Sequence, residues 1–148
     1  MPIAEWPLVS ECQEQKRGVL IIENEPSVGD ALRMILEDGG YRVSIALTGR
    51  DGIEQARLGE FCLTITDLDL GDMTGFEAID AIRRHKPQLH LIVITSSGSQ
   101  DVIAEARGCK VAGVLLKPFL PSEILQMVQT TLEDPHLSGD GRHLRESS

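Results

Sequence analysis

Residues 65–75 read ITDLDLGDMTG, so three carboxylates, Asp67, Asp69 and Asp72, fall within six positions directly after the apolar run FCLTIT. Other chemistry-bearing residues follow apolar runs in the same way. GVLIIEN leads into Glu23, Asn24 and Glu25; LHLIVIT ends in Thr95, with Ser96 and Ser97 behind it; AGVLLK ends in Lys117, followed by Pro118. If these four sites meet, their chemistry is legible. An aspartate carboxylate can attack phosphorus and form an acyl phosphate. Hard oxygen donors from Glu23, Asn24 and the Asp67–Asp69 loop suit Mg²⁺. A cation and the Lys117 ammonium would neutralise charge on the transferred oxygens. The Thr95 hydroxyl can hydrogen-bond a phosphoryl group once it is attached.

The elements between these sites decide whether they meet. Short apolar runs at 18–24, 41–47, 61–66, 89–95 and 112–117 have the length of buried strands, not of helices. Each is followed by a segment with helical periodicity. In the first, Val28, Ala31, Leu32, Ile35 and Leu36 share one face, Ser27 and Asp30 stand at capping-box spacing, and Gly39-Gly40 ends the helix. Thr48 and Asp51 have the same spacing before the second helix. Phe76, Ile79 and Ile82 form a stripe on the third; Ile124, Leu125, Val128 and Leu132 form one on the fifth. Five βα units predict an α/β fold, a parallel sheet with helices on both faces. Right-handed crossovers then bring every strand's C-terminal end to one edge, where ligands bind. The domain is expected over 18–133, with an N-terminal tail at 1–17 and a polar C-terminal tail at 134–148.

Composition narrows the function. A net charge of -9 argues against a nucleic-acid surface, which needs clustered Lys and Arg. No apolar run is long enough to span a bilayer, and no basic-then-apolar leader precedes the domain, so a cytoplasmic protein is expected. Cys12, Cys62 and Cys109 lack metal-ligand spacing and read as reduced thiols, Cys62 as a buried inert one. His85, His90, His136 and His143 show no metal-site spacing, and Arg83-Arg84 reads as a solvated helix face.

Taken together, VLIIENEPSV, TDLDLGDMTGFE, VITSSG and LLKPF, in that order over residues 18–133, resemble the receiver domain of bacterial response regulators. The resemblance implies a flavodoxin-like five-stranded sheet of order 2-1-3-4-5. It implies Asp67 as phosphoacceptor, Lys117 and Thr95 as its catalytic companions, and a Mg²⁺ site at Glu23, Asn24, Asp67 and the backbone carbonyl of Asp69. It also implies a cis peptide before Pro118 and a loop glycine at Gly75. A histidine kinase or phosphotransfer protein would be the phosphoryl donor. The surface around helix four, strand five and helix five would bind a target protein, with neither nucleic-acid contact nor membrane insertion. Asp72 reads as a solvated loop charge.

Four residues depart from the family's usual pattern. Asn24 replaces an aspartate and Glu23 is one methylene longer than one, so weak Mg²⁺ binding is expected. Gly71 stands in place of a frequent proline and should loosen the loop after the acceptor. Val114 occupies the position of a switching aromatic. Two other functions fit parts of the pattern. Asn24 is compatible with a receiver-like interaction module that is never phosphorylated. The Asp-x-Asp of DLDL superficially matches haloacid-dehalogenase-like phosphatases, although that motif normally follows the first strand of its fold.

Overall fold

The computed structural model describes residues 18–133 and 143–144. The expected tails at 1–17 and 134–148 therefore lie outside the described residues, apart from one short strand. Chain order is β1 (Gly18–Ile22), α1 (Pro26–Asp38), β2 (Arg42–Ala46), α2 (Gly49–Leu58), β3 (Leu63–Asp67), α3 (Gly75–His85), β4 (His90–Thr95), α4 (Gln100–Gly108), β5 (Gly113–Leu116) and α5 (Pro121–Glu133). The strands pair in parallel, as the βα alternation predicts, in the order β2-β1-β3-β4-β5 that the resemblance implies. A two-residue strand, β6 (His143–Leu144), pairs with the free edge of β5. Nothing in the polar sequence of the tail announced it.

Side-chain alternation along the strands explains the layers. On one face, Val19 and Ile21 of β1, Ile65, Ile92 and Ile94 pack against Leu32 and Leu36 of α1 and Ile124 and Val128 of α5. On the other, Leu20 and Ile22 meet Ala56 of α2 and Ala78 and Ile82 of α3. Leu91, Val93 and Val114 meet Ile79 of α3 and Ala106 of α4. β1, β3 and nearly all of β4 are buried on both faces, which is why they read as unbroken apolar runs. Each such Leu, Ile or Val contributes about 1.5–3 kcal/mol on leaving water.

Caps set where the helices begin, and they differ from expectation at α1. Its N-cap is Glu25, with Pro26 in the first turn and no side-chain cap, so Ser27 and Asp30 form no capping box. Proline's fixed φ starts the helix two residues early. Thr48 does cap α2, accepting from the Asp51 N–H at 3.0 Å. A reciprocal capping box, not among the expected caps, opens α3: Thr74 accepts from the Glu77 N–H, and Glu77 accepts from the Thr74 N–H. Arg83 is not a solvated surface charge. Half-buried, it donates to the carbonyls of Cys109 and Lys110, the latter at 2.8 Å, and ties α3 to the turn before β5.

Candidate functional site

Parallel pairing brings the C-terminal ends of β1, β3, β4 and β5 to one edge. Asp67, the last residue of β3, sits opposite Ile94, and Thr95 opposite Leu116. The Lys117 N–H extends this ladder, donating to the Thr95 carbonyl at 2.8 Å. The Glu23 N–H likewise donates to the Ala46 carbonyl at 3.0 Å beyond the end of β1.

The side chains converge as the backbone directs. Lys117 Nζ lies 2.6 Å from Asp67 Oδ2, 3.2 Å from Glu23 Oε1 and 3.8 Å from Glu25 Oε1. The other Asp67 oxygen, Oδ1, accepts from the Asp69 N–H at 3.1 Å, so both carboxylate oxygens are held in orientation. Glu23 is 1% exposed, and its Oε2 accepts from the Glu25 N–H at 3.1 Å. Thr95 is buried at the same edge, where its hydroxyl accepts from the Ser97 N–H at 3.0 Å. The Lys117–Pro118 peptide is cis. Asn24 is exposed beside the acceptor loop, its amide nitrogen 3.7 Å from where a Gly71 β-carbon would stand.

Burial and charge oppose each other here. Burial raises the Glu23 pKa above the usual carboxylate range, and the nearby Asp67 charge adds to the rise. The Glu25 N–H and the Lys117 ammonium act the other way without cancelling it. At Lys117, burial works against the charge. The hydrogen bond and attraction from Asp67, with help from Glu23, outweigh burial and raise its pKa. The lysine is therefore a fixed ammonium placed between two buried carboxylates.

The loop after Asp67 refines two expectations. Asp72 is exposed, as expected, but it is not free. Its carboxylate accepts from the N–H groups of Gly49 at 2.8 Å and Arg50 at 3.0 Å, at the start of α2, and these bonds lower its pKa. This clamp joins residues 23 and 22 positions apart in sequence, which is why local spacing could not reveal it. Nor does Gly71 leave the loop loose. Its φ of +85° is a conformation proline cannot adopt, and the turn is braced. The Gly71 N–H donates to Asp69 Oδ1, Leu70 N–H to the Met73 carbonyl, and Asp69 pairs with Thr74. Gly75 then passes so close to β3 that a β-carbon would stand 2.3 Å from the Asp67 carbonyl oxygen.

This edge carries a lysine-paired aspartate at the end of the third strand of a five-unit βα fold, and the sequence comparisons agree with it. The model of the response regulator receiver domain matches residues 19–129. The chain belongs to the response regulator receiver family. A response regulator receiver protein of Anaeromyxobacter sp. (strain Fw109-5) is 32% identical over 111 residues, 75% of this chain and 47% of that protein. The transcriptional regulatory protein CusR of Escherichia coli K12 is 28% identical over 114 residues, 77% of this chain and 50% of its own length. The chain thus spans between about a quarter and a half of the length of the curated relatives it matches. Among solved structures, a CheY-like receiver from Methanospirillum hungatei JF-1 superposes with a TM-score of 0.77 at 25% identity, covering 81% of this chain and 96% of that one. Vibrio cholerae CheY4 gives 0.73 at 29% identity, covering 76% and 96%.

Mg²⁺ is the metal expected of a receiver. The Glu23 and Asp67 carboxylates, the Asn24 amide and the loop carbonyls are hard oxygen donors, and Glu23 Oε1 is buried against the Lys117 ammonium at 3.2 Å. That donor chemistry fits Mg²⁺. Among the described residues, no group of three or more His, Cys, Asp or Glu side chains is placed to hold a metal ion. No helix among the described residues is long and apolar enough to cross a membrane.

Proposed function

We propose that this receiver accepts a phosphoryl group on Asp67 and signals through a phosphorylation-dependent protein interaction. The observation that carries the reading is the 2.6 Å contact of Lys117 Nζ with Asp67 Oδ2 at the sheet edge. A scaffold with no chemistry to perform has no reason to keep a lysine aimed at a buried aspartate there. A histidine kinase or phosphotransfer protein is the donor. An Asp67 oxygen attacks phosphorus, the P–N bond breaks, and the departing imidazole nitrogen keeps the electron pair and takes a proton. Lys117 stays charged and opposes the negative charge on the transferred oxygens. The Asp69 N–H holds the carboxylate for attack. The Thr95 hydroxyl turns from the Ser97 N–H toward the phosphoryl oxygens. Glu23, Asn24, Asp67 and the Asp69 carbonyl would hold Mg²⁺, which when bound shields the phosphoryl oxygens from the attacking carboxylate.

The modified surface around α4, β5 and α5 then binds a target protein, with no nucleic-acid contact. The chain is a signalling module and not a turnover enzyme on external substrates. Incubation with acetyl phosphate and Mg²⁺ should add a single phosphoryl mass that hydroxylamine removes, and Asp67→Asn should abolish it. Persistence of that mass in Asp67→Asn would overturn the assignment. A wild-type protein that never gains it would favour the unphosphorylated interaction module, the reading to which Asn24 lends support.

A further inference from the structure

The β5 edge, part of the surface proposed above to meet a target, already carries a strand of this same chain. We propose that residues 143–144 act as a strap on that edge, held in the unphosphorylated protein and released when Asp67 is phosphorylated. The strap goes beyond the receiver reading and rests on it.

Three observations support it. The first is the pairing. β6 runs parallel to β5, with His143 opposite Gly113 and Leu144 opposite Val114. The Ala112 N–H donates to the Leu91 carbonyl at 2.7 Å, so backbone alternation turns the Gly113 and Leu115 groups outward, away from β4. In this register the Leu144 N–H meets the Gly113 carbonyl. A bare edge of such groups is a template for another extended chain, and β6 occupies it. The second is the hand of the connection. α1 and α5 pack on the same face of the sheet, yet α1 leads from β1 to the β2 edge and α5 leads from β5 toward the opposite edge. The two connections therefore have opposite hands. Right-handed crossovers are the rule, so β5–α5–β6 is the reversed one. A two-residue strand reached against that preference is an exchangeable addition to the sheet, not a part of its core.

The third is the position of the strap relative to the acceptor. β6 pairs with Gly113 and Val114 at the start of β5; the strand's last residue, Leu116, stands opposite Thr95, and Lys117 follows. The Lys117 N–H donates to the Thr95 carbonyl at 2.8 Å while its ammonium touches Asp67. β3, with Asp67, lies on the side of β5 away from β6. When the Thr95 hydroxyl and the Lys117 ammonium turn to a phosphoryl group, the ends of β4 and β5 are drawn toward Asp67 and away from the strap. The displacement needed is small, enough to lengthen one or two hydrogen bonds, so it is read by amide exchange and not by the size of a chemical shift.

The test is amide hydrogen exchange, followed by NMR, on the full chain as wild type, Leu144→Pro and Ser148→Pro. Proline at 144 removes the donor to the Gly113 carbonyl and lies outside the five βα units, so the core is kept. Proline at 148 changes the tail outside β6 and should behave as wild type. Without ligand, the Gly113 and Leu115 amides should exchange about two- to twelvefold faster in Leu144→Pro, the factor expected for one hydrogen bond. Beryllofluoride with Mg²⁺ should speed the same amides in wild type and leave Leu144→Pro unchanged. Linkage is reciprocal, so Leu144→Pro should bind beryllofluoride more tightly by the factor that the ligand gives in wild type. Equal exchange in all three proteins would overturn the strap. So would Gly113 and Leu115 amides that stay protected in beryllofluoride-bound wild type, or equal beryllofluoride affinities. Those results leave the receiver reading standing, whereas wild-type protein that binds no beryllofluoride and gains no phosphoryl from acetyl phosphate overturns both.

Discussion

Gly75→Ala isolates the close approach that places Asp67. The new β-carbon would stand 2.3 Å from the Asp67 carbonyl oxygen, 2.9 Å from Leu68 Cα and 3.1 Å from the Asp67 carbonyl carbon. Even a weak C–H···O contact needs about 3.3 Å between carbon and oxygen, so α3 must retreat from β3 by roughly 1 Å. All three obstructing atoms are backbone, so no rotamer change relieves the clash. Overpacking of this kind costs about 1–3 kcal/mol. The retreat also stretches the 2.7 Å bond from the Gly75 N–H to the Leu68 carbonyl, worth about 0.5–1.5 kcal/mol. The gain from replacing glycine in a helix, roughly 0.5–1 kcal/mol, offsets part of this. A net loss of about 1–3 kcal/mol is expected, set against the roughly 5–15 kcal/mol stability of a typical domain. Urea unfolding of the two proteins at equal ionic strength measures it. A change under about 0.5 kcal/mol would refute the reasoning, since the helix would then have to be free to move without cost. A folded variant should also take up phosphoryl more slowly, because Asp67 is carried by the displaced backbone.

Other predictions follow from neighbouring contacts. Asp72→Ala removes both bonds to the start of α2 and should lower the melting temperature and speed amide exchange at Gly49 and Arg50; unchanged exchange would contradict the clamp. Burial pushes the Cys62 thiol up to about 11, with its Sγ–H donating to the Gly18 carbonyl. Because the folded pKa lies above the unfolded one, the thiol's contribution is complete below about pH 9 and is lost as pH rises through about 11. Denaturant unfolding of wild type should therefore fall relative to Cys62→Val across that window, and parallel curves would contradict it. Beryllofluoride should move the amide of Ser97 strongly, because Thr95 releases that N–H when it turns to the ligand. Val114 is buried without a ring to swing, so strand five should respond less than residues 95–101.

What the sequence revealed of this fold and site depended on how local the cause was. Strands buried on both faces announce themselves as apolar runs; β3 reads as one and ends in Asp67, the proposed acceptor. Residues at strand ends were legible because parallel topology alone collects them at one edge, which is how Glu23, Thr95 and Lys117 came to be grouped. Interactions across long separations were not legible. The Asp72 clamp on α2 and the Arg83 tie to the turn before β5 depend on how neighbouring units pack, and no periodicity encodes that. At Ser27 the capping-box spacing was present but Pro26 overrode it, since the ring's fixed φ favours the first helical position. The Thr74–Glu77 box was legible and hidden only by the acidic loop before it.

The central claim is that one carboxylate among several is the acceptor, and chemical trapping tests it most directly. Protein treated with acetyl phosphate and Mg²⁺ is reduced with borohydride, which converts an aspartyl phosphate to homoserine. Peptide sequencing by mass spectrometry then locates the change. The account predicts homoserine at position 67, with Asp69 and Asp72 intact. Homoserine in place of Asp69 or Asp72, or a phosphorylated protein in which Asp67 remains aspartate, would contradict it.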